Sequence, residues 1–155
     1  MTNNSTNSIS AVVVSSRLRL ISLALALLGL AVSLYLTWVK VARTSAFCGG
    51  VGDCEAVNSS IYAQINGMPV AVLGAGAYLA MAVLLFMEPR GQLWAEWAPL
   101  AVFGLGLTGT LYSAYLTYIE LAVLHAVCPY CVVSAICITS IFALSVVRLW
   151  RPQTY

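Results

Sequence analysis

The sequence predicts an all-α integral membrane protein: a four-helix bundle, N-in/C-in, with a long extracytoplasmic loop between helices one and two. Three observations carry this. The 155 residues are 61% hydrophobic and 8% charged, against roughly 25% charged in soluble domains, and mean hydropathy is +0.93. Four segments reach the ~20 apolar residues needed to cross a bilayer. The basic residues divide unevenly between the two sides that four crossings create.

In chain order, residues 1–16 are polar and rich in Ser and Asn, and a disordered cytoplasmic tail is expected there. A transmembrane domain is expected over 17–150. The first span, 20–39, carries no charge; it is too long for a signal-peptide core and ends without a small-residue cleavage pattern, so it is read as retained. The second span, 68–87, and the third, 97–119, are also uncharged. Trp94 and Trp97 read as interface anchors on the inner side. The stretch from Leu121 to Val147 holds only His125 as a titrating base, but it is too long for one crossing. Its helix is expected over 128–147, with Glu120 to Val127 as a tight turn. An inner N-terminus puts Arg17, Arg19, Arg90, Arg148 and Arg151 in the cytoplasm and only Lys40 and Arg43 outside, as the positive-inside rule requires. The mid-spans lack Asp, Glu, Lys and Arg, which argues against ion-coupled transport. A net charge of +2 with no basic run argues against a nucleic-acid partner.

This topology sorts the five cysteines. Cys48 and Cys54 fall in the outer 40–67 loop, and Cys128 and Cys131 at the outer end of the last span. Cys137 lies deeper and reads as a small buried hydrophobe. Four thiols therefore sit in two pairs on the oxidising face of the membrane. Cys128 and Cys131 form a C-P-Y-C at a helix start, where free N–H groups and the helix dipole stabilise a thiolate. Pro129 suits the first turn, which has no use for its missing N–H. Residues at i and i+3 share a helix face, so a disulfide between the two is feasible. Between Cys48 and Cys54 runs G-G-V-G-D, a pliable loop suited to a bridge that opens and delivers one sulfur elsewhere. Asp53 and Glu55 flank Cys54 and are expected to restrain its ionisation. Static structural disulfides and a zinc, mercury or copper site are the alternatives for these four sulfurs.

Other features carry less. "GLGLTG", Gly104 to Gly109, fits a dinucleotide fingerprint but lies inside a span with no preceding strand, so it reads as close helix packing or room for a ligand. Gly74 and Gly76 read the same way. Asn58-Ser59-Ser60 is a glycosylation sequon by pattern alone. Tyr112, Tyr115 and Tyr118 form a stripe of packing or interface aromatics from which a ligand hydrogen bond could also come. His125 reads as a turn cap, with proton transfer as the second reading.

The ordered set "CGGVGDCEAVNSSIYAQINGMPVAVLGAGAY" and "GTLYSAYLTYIELAVLHAVCPYCVVSA" resembles the vitamin K epoxide reductase family, over about residues 18 to 149. It is most similar to the bacterial homologues that oxidise thiols. The markers are the two loop cysteines, Ser60 six residues after the second, Gly67-Met68-Pro69 opening helix two, and C-P-Y-C opening helix four. The resemblance implies a multi-pass protein of a prokaryotic plasma (inner) membrane, with its active site on the extracytoplasmic side. It implies Cys131 as the sulfur nearest a membrane quinone, ubiquinone or menaquinone. Cys128 would accept electrons from Cys54, and Cys48 would exchange with a thioredoxin-like (DsbA-like) extracytoplasmic protein. Ser60, with Tyr112 and Tyr115, is expected near the quinone. Many bacterial relatives carry a fused thioredoxin-like domain; here the partner is expected to be a separate protein. The animal enzymes hold vitamin K through an Asn early in helix two and a Tyr four residues after the second active-site Cys. Those positions here are Val70 and Ala135, which disfavours reduction of vitamin K quinone or epoxide.

Overall fold

The structure is a computed structural model that describes residues 3–42, 44 and 54–150, without the side chains of 3–14, 54, 55 and 58. Helix α1 runs Asn3–Ala42 and so takes in most of the segment expected to be a disordered tail. A short helix α2, Cys54–Ser59, is followed by a 3-10 turn, Ile61–Ala63. A two-stranded antiparallel hairpin comes next, β1 Gln64–Ile65 and β2 Met68–Pro69. Then come α3, Val70–Met87, a 3-10 turn Glu88–Arg90, and α4, Gln92–Ile119. A π-helical turn, Glu120–Leu124, extends α4, and α5 spans Pro129–Trp150.

Four of these helices are long and apolar enough to cross a membrane, over Ser15–Ala42, Val70–Arg90, Gln92–Leu124 and Pro129–Trp150. The protein is an all-α, multi-pass membrane bundle. Leu27, Leu34, Leu79, Leu100, Leu111 and Ile136 are more than half exposed around its outside, a surface that suits lipid and not water.

Three boundaries differ from expectation, the first two for local reasons. The second span starts at Val70, not Met68, because Met68 and Pro69 pair with Ile65 and Gln64 in the hairpin. Asn66 and Gly67 both have positive φ, 51° and 80°, the Asn-Gly signature of a two-residue turn whose twist matches its strands. The segment Glu120 to Val127 is only half a loop. Its first five residues continue α4 with a wider turn, which closes at His125 in the left-handed conformation, φ 50°. The third span likewise starts at Gln92, ahead of the expected Trp97.

The spans form a ring in which α1 packs on α3 and α5, and α4 packs on the same two helices. Small residues set the close approaches: a Cβ at Gly109 would lie 2.7 Å from Ile138 of α5, and one at Gly29 would overlap the Tyr78 ring. Part of the "GLGLTG" segment is thus a packing surface. Tyr78 crosses the bundle from α3 and donates to the Ser134 carbonyl of α5 at 2.8 Å. Below it, Ala26, Met81, Leu85, Val102, Cys137, Ile138 and Ile141 fill the core; Cys137 is a buried hydrophobe, as expected. At the end of the bundle carrying the Glu88–Arg90 turn, the Arg148 guanidinium hydrogen-bonds the Glu88 carboxylate. Arg148 is almost fully buried and ties α5 to the end of α3.

Candidate active site

The thiols of Cys128 and Cys131 sit at the opposite end, where the turn after α4 meets the start of α5. Cys128 is the residue before α5. Its carbonyl accepts the Val132 N–H at 3.1 Å, the first bond of the helix. Its own N–H donates to Glu120 Oε2 at 3.3 Å. Pro129 occupies the first helical position. The thiol of Cys128 is lowered to about 7. A hydrogen bond from the Cys131 side chain contributes most, and the N–H groups of Cys131 and Tyr130 add to it. Burial and the charge of Glu120 oppose this but do not win. Hydrogen bonds to the ionised sulfur favour the thiolate, and these N–H groups are the free donors of a helix start.

The two sulfurs have different surroundings. Cys128 has no exposed surface. Val57 of α2 is packed with it, and Leu124, Ala126 and Tyr130 close the same small cluster. Cys131 touches this cluster but also lines a cavity of about 360 Å³ between the helices. The cavity reaches from Ser33 and Leu36 of α1 to Ala77 and Tyr78 of α3, with Thr108, Tyr112 and Leu116 of α4 and Ile138 of α5 among its walls. These walls are mainly hydrocarbon, with hydroxyls at Ser33, Ser60, Ser113 and Tyr112 and a carboxyl at Glu120.

The structure brings together only some of the residues singled out in the sequence. Ser60 lines the cavity and donates its hydroxyl to the Val57 carbonyl at 2.8 Å. Tyr112 lines it as well. Tyr115 does not; it is half exposed, and its ring lies 6.1 Å from that of Tyr112. Val70 and Ala135 both line the cavity. His125 is exposed, and its backbone N–H closes the π-helical turn on Glu120. Cys48 and Asp53 lie outside the described residues, as does Arg43; Cys54 stands at the first position of α2. Sequence reasoning missed Glu120, which is 4% exposed and bonded to the thiol segment. The signal was there: Glu120 is the lone acidic residue after Glu96, eight positions before Cys128.

Residues 20–146 match the Vitamin K epoxide reductase family. The chain belongs to that family. It is also 36% identical over 118 residues to the thiol-disulfide oxidoreductase LTO1 of Arabidopsis thaliana, an alignment covering 72% of this chain. The chain spans 31% of that relative's length. The cysteine pair at the start of α5, the cavity beside it and α2 over it all fall within the matched region.

Proposed function

We propose that the protein is a membrane thiol oxidoreductase. It takes electrons from a thioredoxin-like protein outside the cytoplasm, passes them through Cys48 and Cys54 to Cys128 and Cys131, and delivers them to a membrane quinone. The observation that carries this reading is the two-sided cysteine pair: Cys128 under α2, Cys131 on an apolar cavity. A relay between a water-soluble thiol and a lipid-soluble acceptor needs one sulfur turned to each. The name of the Arabidopsis relative supports thiol–disulfide exchange as the chemistry.

The chain's own residues support each stage. Cys54 begins α2, and Val57, one turn later in the same helix, is packed with Cys128. The relay asks the Cys54 thiolate to attack Cys128, the residue on which this helix packs. The lowered Cys128 thiol makes this sulfur the more ionised, better nucleophile of the reduced pair near neutral pH. Direction follows potential, about 30 mV corresponding to roughly 1.4 kcal/mol for a two-electron couple.

The cavity fits a quinone ring. Its size lies within the usual range for small-molecule sites, about 300–1,000 Å³, and its apolar walls suit a lipid-soluble molecule. Tyr112 would hold the ring by its hydroxyl beside Cys131, with Ser60 in the adjoining wall. A quinone bound there supplies an acceptor for two electrons and two protons. Val70 and Ala135, both cavity residues, offer apolar surface where the animal enzymes have Asn and Tyr, which favours thiol oxidation over epoxide reduction. Siting in a prokaryotic plasma membrane, with both termini cytoplasmic, completes the reading and rests on the arginine distribution. The test is to mix the purified protein with a reduced thioredoxin-like protein and ubiquinone or menaquinone and to follow quinone absorbance. Consumption by wild type that is lost in Cys131→Ser supports it; stoichiometric zinc binding without quinone consumption sinks it.

A further inference from the structure

We infer that Glu120 is the proton carrier of the Cys128–Cys131 pair. It lies at the end of α4, where the helix widens into the π-helical turn. Wide turns of this kind recur at functional sites because they re-aim a side chain without ending the helix. Here the Glu120 carbonyl accepts the N–H groups of His125 and Ala126, which fixes the residue from its backbone. Its carboxyl accepts the Cys128 N–H at 3.3 Å and hydrogen-bonds the Cys131 thiol. It also lines the cavity. One buried carboxyl therefore touches both halves of the cysteine pair and the space beside them.

A buried carboxylate is costly unless paired with a cation. The groups facing Glu120 are Cys128 and Cys131 of α5; Tyr112 of its own helix, Tyr62 after α2 and Tyr78 of α3 share the cavity wall. Ser33 and Leu36 represent α1 there. Among the described residues no Lys, Arg, Asp or His lines the cavity. A carboxyl so placed gains from holding a proton and giving it up only to an adjacent base, and the adjacent base is the Cys131 sulfur.

The step balances without an outside oxidant. An incoming thiolate, from Cys54 or a small dithiol, bonds to Cys128 Sγ. The Cys128–Cys131 bond breaks, its electron pair stays on Cys131 Sγ, and the Glu120 carboxylic acid protonates that sulfur. In reverse, the Glu120 carboxylate takes the Cys131 proton as Cys131 Sγ attacks Cys128 and expels the other thiolate. The assignment rests on the thiol-exchange reading but not on the quinone.

The experiment reduces the oxidised full-length protein with dithiothreitol across mildly acidic to mildly alkaline pH and traps thiols with a maleimide. Wild type is compared with Glu120→Gln and Glu120→Asp. Glu120→Gln is expected to slow reduction about 100-fold, the usual size of a general acid's contribution, and to lose a pH-dependent limb that Glu120→Asp keeps. A folded Glu120→Gln with the wild-type rate and pH profile overturns the assignment. Should Glu120→Gln fail to fold, the solvent deuterium isotope effect decides: an effect on the reduction rate in wild type that Glu120→Asp keeps supports it, and no effect in either overturns it. A wild-type disulfide that neither dithiothreitol nor a reduced thioredoxin-like protein opens overturns exchange itself. Glu120-dependent exchange in a protein inert toward quinone overturns only the quinone.

Discussion

The two ends of the bundle each set a glutamate beside α5, and they treat it in opposite ways. At one end Glu88 is paired with the buried Arg148 guanidinium, below a filled core of Met81, Leu85, Val102 and Ile141. At the other, Glu120 meets the Cys128 N–H and the Cys131 thiol, beside an open cavity. A carboxylate locked to a cation holds helices together. A carboxyl left among groups that exchange protons is placed for chemistry. The same helix α4 serves packing and space: Gly106 and Gly109 let it close up on α5, while Thr108 and Tyr112 face the cavity.

The largest expected effect breaks the chemical end alone. Cys131→Ser should lower the rate of partner oxidation by about 1,000-fold or more, as loss of a covalent nucleophile does, with thermal unfolding in detergent unchanged; a retained rate would remove Cys131 from the pathway. Arg148→Met should do the reverse. It strands Glu88 in a buried site, a change that costs about 3–5 kcal/mol, so the unfolding temperature should drop while the rate per folded molecule stays near wild type. Gly109→Val lies on the boundary between the two regions. Its new side chain must displace Ile138, an overpacking cost of about 1–3 kcal/mol, and the shift of α4 should weaken quinone affinity along with stability. Thermal unfolding and the quinone concentration dependence of turnover measure the two parts.

A finer probe is pH. With the Cys128 thiol lowered to about 7, the ultraviolet absorbance of thiolate in the reduced protein should rise with a midpoint near neutrality. Alkylation of Cys128 in the reduced protein should slow below that pH, where the sulfur is protonated, and level off above it. A midpoint near the ordinary cysteine value of about 8.5 would mean that the helix-start hydrogen bonds do not act on this sulfur. Smallest of all is Tyr78→Phe, which removes the hydrogen bond to Ser134; interhelical bonds in membranes average about 0.6 kcal/mol. A slight loss of stability with unchanged turnover would place Tyr78 with the packed end and not with the chemistry.

Much of this protein is written along the chain. Uninterrupted apolar runs dictate spanning helices because a bilayer offers backbone groups no other partner. Cys-Pro-Tyr-Cys at the head of the last run marks a helix start with an activated thiol, since Pro129 and the free N–H groups are consequences of local covalent structure. Tertiary structure decided which sulfur faces which neighbour, because that depends on α2 folding over Cys128 and on four helices leaving a gap beside Cys131. It also decided the meaning of the two glutamates and of Arg148. In sequence each is a charge near a helix end; only the packing of elements 60 residues apart gives Glu88 a cation, and only a π-helical turn carries Glu120 to the thiols.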